Sequence, residues 1–177
     1  MNWPTYLTIR YDLRTLEALA VEMRWVADLH AGGVPADLLN GVFRAIPVPI
    51  RVRRPDGDYV QFGVYAIDAA IGLDVEDGTV RAIFPDSGQA AIVVNTTLAQ
   101  FRQTVEALTD RFPFYSREEA DERAETAAED IVEICQGIDP EALARPSFWD
   151  SLVDSVSWGD MSTEEIVERR WSTRRDA

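Results

Sequence analysis

The sequence predicts an α+β fold: a central antiparallel sheet of about four to six strands, packed by helices from both ends of the chain. Three observations carry that prediction. The stretch from Ile71 to Val94 consists of short apolar runs separated by turn sequences. A helical apolar stripe precedes this region, and several capped helical patterns follow it.

Asp12 is placed as an N-cap for a helix over residues 13–29, with Leu13, Leu16, Ala20, Met23 and Ala27 on one stripe. Gly32-Gly33 ends it. Val34 to Asn40 reads as a further helical turn, with Pro35 suited to its first position. Gly41 to Ile46 reads as a short strand. Pro47 and Pro49 follow, and then Ile50-Arg51-Val52-Arg53 alternates. That pattern suits an edge strand, where a proline costs no ladder bond and charge discourages pairing. The turn Arg54-Pro55-Asp56-Gly57-Asp58 leads into a strand from Tyr59 to Ala66.

The meander comes next. An apolar run reaches Asp74 and breaks at Glu76-Asp77-Gly78; a second, Thr79 to Phe84, breaks at Pro85-Asp86-Ser87-Gly88; a third spans Ala90 to Val94. These turn residues tolerate positive φ or bond their own backbone, so antiparallel hairpins are expected.

After Asn95 the pattern is helical. Thr97 and Gln100 form a capping box for a helix to about Asp110, which buries Leu98, Phe101, Val105 and Leu108. Ser116 and Glu119 form a second box, opening a helix to about Gln136. Its apolar face is Ala120, Ala124, Ala127, Ala128, Ile131, Ile134 and Cys135, and so many alanines imply close packing. Gly137 is expected to stop it. Asp139-Pro140 supplies N-cap and first-position signals for another helix. Ser162 to Glu165 forms a third box before a short charged terminal helix.

The 177 residues fit one domain, 1–177, with a helical extension from about residue 116. A single cysteine excludes an internal disulfide framework and a cysteine-based zinc site. No apolar run reaches about 18 residues, and the N-terminus lacks the basic-then-apolar order of a signal peptide, so a cytoplasmic home without membrane contact is expected. All 17 basic residues are arginine. The net charge of −14 is unevenly spread: residues 116–168 carry −13, residues 1–54 carry +2, and the tail from Arg169 carries +3. Such a chain repels nucleic acid, whose binding depends on Lys and Arg releasing counterions. It attracts basic partners. An acidic surface also serves plain solubility.

At Leu73-Asp74, Gly78-Thr79-Val80, Val94-Asn95-Thr96-Thr97-Leu98 and Phe101 the chain resembles the SUKH superfamily of bacterial immunity proteins. Asp139-Pro140 and Phe148-Trp149 look like the C-terminal extension of the fourth SUKH family. The resemblance covers roughly Gly63 to Trp158. Thr97 stands where serine is more usual, and Pro47 to Arg54 has no counterpart. What the resemblance implies is a curved central sheet and a role in binding and blocking a cognate toxin of a polymorphic toxin system. Toxins paired with this superfamily are commonly nucleases and nucleic-acid deaminases, enzymes with basic grooves that an acidic protein can occupy.

No catalytic residue is predicted, nor any metal or cofactor site. His30, the only histidine, sits at a helix end, where it suits the helix dipole and exposed carbonyls. Cys135 reads as a buried small hydrophobe. Asp74 to Gly78 superficially resembles a calcium loop but lacks the alternating oxygen ligands, so it reads as a hairpin turn. The expected partner-binding residues are Glu118, Glu122, Glu125 and Glu129 on the acidic helix, with Trp158 and Asp160 in a loop. That helix can equally be a solvated face. Phe148 and Trp149 are expected to pin the terminal helices. Two rival readings stay open: a regulatory or scaffolding domain with a non-toxin partner, and a small hydrolase using paired carboxylates. The hydrolase requires a deep pocket holding a carboxyl group of raised pKa.

Overall fold

A computed structural model describes residues 3–66, 69–85, 87–144 and 146–172, with side chains through residue 168. Asp86 of the predicted second turn and residues 173–177 of the arginine-rich tail lie outside the described residues.

The predicted first helix is two helices, α1 (Leu13–Glu17) and α2 (Met23–Ala31). Asp12 does cap α1, accepting Thr15 N–H at 3.0 Å. The break follows from a distant residue. Arg51 donates to the carbonyls of Leu19 and Ala20 at 2.9 and 2.7 Å, satisfying the groups freed where the chain leaves the helix with Ala20 at φ 53. The turn re-phases the apolar face: Leu16, Val26 and Leu29 are buried, while Leu13 and Met23 are exposed.

Residues 34–40 are not helical. β1 (Thr8–Ile9) pairs with β2 (Val34–Pro35), and β3 (Asp37–Leu38) begins the main sheet. Pairing with Ile9, a non-local contact, overrides the proline's helix-start preference. Leu39, Asn40 and Gly41 then take left-handed backbone, and Asn40 donates to the Ile166 carbonyl at 3.0 Å.

The main sheet runs β3-β4-β5-β6-β7-β8, antiparallel throughout and curled into a half-barrel. It adds β4 (Phe43–Arg54), β5 (Gly57–Tyr65), β6 (Ala69–Asp74), β7 (Val80–Ile83) and β8 (Ile92–Asn95). The six strands meet the predicted number. The two strand segments expected around Pro47 are one element. β3 pairs with β4 only at Phe43 and Arg44, so the proline-arginine stretch does lie on the sheet's outer side. Ala45 pairs with Gly63 and Ile50 with Gln61, so residues 46–49 form a bulge. The Tyr11 hydroxyl fills the gap, 3.0 Å from the carbonyls of Ile46 and Phe62.

α3 (Leu98–Arg111) packs into the curl, and Thr97 caps it by accepting Gln100 N–H at 3.1 Å. The Gln100 side chain meets the Thr97 hydroxyl rather than its N–H, so the predicted box is half formed. Phe101 meets Phe43 and Phe62 at ring-centroid distances of 5.3 and 5.7 Å. Replacing Phe101 by alanine is expected to cost about 3–5 kcal/mol. The remaining helices are α4 (Ala120–Ile138), α5 (Asp150–Ser157) and α6 (Thr163–Ser172), with 3-10 turns at Arg117–Glu119 and Pro140–Leu143. Gly137 does not stop α4, which runs one residue further. Asp139 is not a side-chain cap either. Its buried carboxylate accepts from Thr96 N–H at 2.7 Å and Asn95 Nδ2 at 3.1 Å, fastening the end of β8 to the end of α4.

Candidate functional site

α4 owes its position to its small side chains. Ala124, Ala127, Ala128, Ile131 and Cys135 are buried, and the alanines let α3 and α5 approach closely. An ion pair between Arg111 and Asp130 joins it to α3. Its first turn is set by the capping box: Ser116 N–H donates to Glu119 at 3.0 Å and Ser116 Oγ at 2.8 Å. Those bonds hold the Glu119 carboxyl below the usual carboxylate range. Glu119 is therefore committed to the helix.

Glu118, Glu122, Glu125 and Glu129 are exposed, spaced three and four apart along one stripe. Among the described residues none of these four has an ion-pair partner. The neighbouring arginines are used elsewhere: Arg123 reaches Glu119 at 3.3 Å, and Arg117 reaches Glu168 at 3.5 Å.

Trp158 and Asp160 lie at the same end of the helix. Gly159, at φ +88, is packed so that a Cβ there would sit 3.5 Å from Ala120 Cβ, which lays the turn against the start of α4. Tyr115 fixes this arrangement. Its hydroxyl donates to Val156 O at 2.6 Å and accepts Met161 N–H at 3.3 Å, while its carbonyl accepts Thr163 N–H at 2.9 Å. Trp158 is 74% exposed. Phe148 and Trp149 are instead buried, and the Trp149 indole donates to Val94 O at 3.0 Å, so they pin the helices as expected.

The fold thus gathers Glu118, Glu122, Trp158 and Asp160 at the N-terminal end of α4, while Glu125 and Glu129 lie further along the helix. It also delivers a carboxylate that sequence spacing did not single out. Glu164, in the first turn of α6, accepts Arg117 N–H at 2.9 Å. Only the charge count over residues 116–168 signalled it.

The other candidates resolve into structure. Nδ1–H of His30 donates to the Tyr11 carbonyl at 2.8 Å, a partner from outside its own helix. Burial, with Asp139 nearby, pushes the Cys135 thiol up to about 12. In the 74–78 turn both aspartates are spent internally: Asp74 pairs with Arg81 at 3.0 Å, and Asp77 with the same arginine at 2.8 Å and with Thr79 N–H. The Trp25 ring packs over Gly78 and donates to Val75 O at 2.9 Å, closing the turn. No group of three metal-ligating side chains occurs among the described residues.

Among the described residues, the carboxyl groups whose pKa departs from the ordinary value move down. Asp56 is lowered by Arg54, and Asp58 by Arg51. Burial raises Asp77, but Thr79 and Arg81 outweigh it. A hydrolase acid needs the opposite shift. A groove of about 520 Å³ beside β8 has one carboxylate, Glu141, among its described lining residues.

No helix among the described residues is long and apolar enough to cross a membrane. No curated protein and no solved structure matches the chain. A family model does, that of the SUKH-4 immunity proteins, over residues 8–155. Those residues include the whole curled sheet, α3 and the acidic helix, and the chain belongs to the SUKH-4 immunity protein family.

Proposed function

We propose that this immunity protein blocks a nuclease or nucleic-acid deaminase toxin by covering its basic nucleic-acid groove with the α4 face, without turnover. The observation that carries the reading is a set of exposed glutamates, without an ion-pair partner among the described residues, ending beside an exposed tryptophan. Unpaired carboxylates project field into solvent and speed encounter with a basic surface. A flat, exposed indole supplies the apolar contact that dominates binding energy once charge has steered the encounter. Glu118, Glu122, Glu125, Glu129, Trp158 and Asp160 form the contact surface. The protein acts in the cytoplasm as a single domain.

The test is a pull-down with tagged full-length protein from the producing strain at low salt. The expected result is a toxin-domain polypeptide that is released by raising salt. Retention of a housekeeping complex instead, indifferent to salt, would replace immunity with a scaffolding role.

A further inference from the structure

The β8 side of the sheet carries a second surface, at the far end of α4 from Trp158. At 1.5 Å per residue the 19 residues of α4 separate the two ends by about 28 Å. Among the described residues β8 pairs only with β7, so its other edge is open to a further strand. Half of that edge is already plugged. The Trp149 indole occupies Val94 O, and Asp139 occupies Thr96 N–H.

The edge continues from Ile92 back into residues 89–91, which precede β8 and run along the groove. Ala90, Ala91 and Ile92 line one side, and Glu141, Ala144 and Pro146 the other. Both walls are fastened. Arg54 donates to the carbonyls of Phe84 and Gln89 at 2.7 and 2.9 Å, and Asp56 accepts Ala91 N–H at 3.0 Å. Opposite, Ser147 donates to Ala142 O at 2.9 Å. A groove held on both sides binds without first being ordered.

We infer that this groove receives an extended segment of the toxin, paired with Ala90 and Ile92, with small or β-branched side chains turned inward and one Lys or Arg opposite Glu141. Ala90 and Ile92 are the alternate residues left over once Gln89 and Ala91 are held by Ser87, Arg54 and Asp56 and Val93 pairs with Arg81. A strand edge offers backbone donors and acceptors at regular spacing, which a peptide matches. Three alanines leave room for its backbone. Glu141 is the one charged group among the described lining residues and selects a cation. The inference rests on the toxin-binding reading and adds a second contact to it.

The experiment needs no toxin. A phage-displayed random octapeptide library is panned against the full chain, and enriched peptides are synthesised. Peptides alternating β-branched and polar residues around one basic residue are expected. N-methylation of alternate amides should weaken them by about tenfold, the equivalent of one lost backbone bond. Ala144→Trp and Ala90→Trp, both at exposed positions, should fill the groove and weaken binding to a similar degree. Glu141→Arg should reverse the charge preference. Combined Glu118→Lys, Glu122→Lys and Glu125→Lys should leave peptide affinity unchanged. Absence of enriched peptides overturns the inference, as does equal binding to both tryptophan variants or loss of binding on reversal of the helix glutamates. Toxin capture without peptide binding removes the groove alone; peptide binding without toxin capture removes the toxin reading alone.

Discussion

Charge is handled in opposite ways at the sheet turns and along α4. At the sheet turns Arg51, Arg53, Arg54 and Arg81 each hold a carboxylate, so that region is locally close to neutral. Along α4 and the turn before it, the stripe of Glu118, Glu122, Glu125 and Glu129 has no ion-pair partner among the described residues. Paired charges act on folding, because each partner satisfies the other. Unpaired ones act outward and leave stability almost untouched. Counting acids does not distinguish the two uses; partners do.

The largest expected effect is on encounter rate. Combined Glu118→Lys, Glu122→Lys and Glu125→Lys should slow toxin association by about a hundredfold at low salt, and the difference should shrink as salt rises. Stopped-flow fluorescence would measure it. Lysines in the first turns oppose the helix dipole, so about 1 kcal/mol of stability is also expected to go. Equal association rates would mean that α4 is only a solvated face.

Trp158→Ala sharpens the contrast from the apolar side. Affinity should fall by about 2 kcal/mol, mostly through faster dissociation, with no change in Tm. Surface plasmon resonance beside calorimetry separates the two readouts.

The sheet turns should behave in reverse. Arg81→Met leaves the buried Asp74 without its cation and should cost about 1–3 kcal/mol in urea unfolding. Its association rate should match that of the parent. A slowed rate would show that the paired region also faces the partner.

The smallest effect is in pH. Asp56, Asp58 and Asp77 have folded pKa values below the unfolded value of about 3.8. Their stabilisation is fully present above that value and is lost as pH falls through the folded ones. Arg51→Met removes the main cause at Asp58, so its stability deficit at pH 7 should narrow on acidification below about pH 4.

What could be read in the sequence was local. The signals at Thr97, Ser116 and Ser162 act within four residues, and Ser116 and Ser162 form complete boxes. Thr97 caps its helix, while the Gln100 side chain bonds the two threonine hydroxyls and the Ile138 carbonyl instead of closing the box. The hairpins follow from glycines and aspartates inside their own turns. The missed features depend on residues far away. Arg51 breaks the first helix from another element, Ile9 draws Val34 into a strand, and Asp139 turns from a cap into a link to Thr96. At the site, the acidic stripe and the exposed tryptophan were legible as separate features. Their meeting was not, because it depends on Tyr115 holding the 158–160 turn and α6 against the start of α4.

Hydrogen–deuterium exchange on the full chain, with and without its toxin domain, tests the central claim most directly. The account predicts slowed exchange across residues 116–130 and 155–162 on binding, with the hairpins at residues 51–81 unchanged. Protection confined to those hairpins, with α4 exchanging as in the free protein, would contradict it.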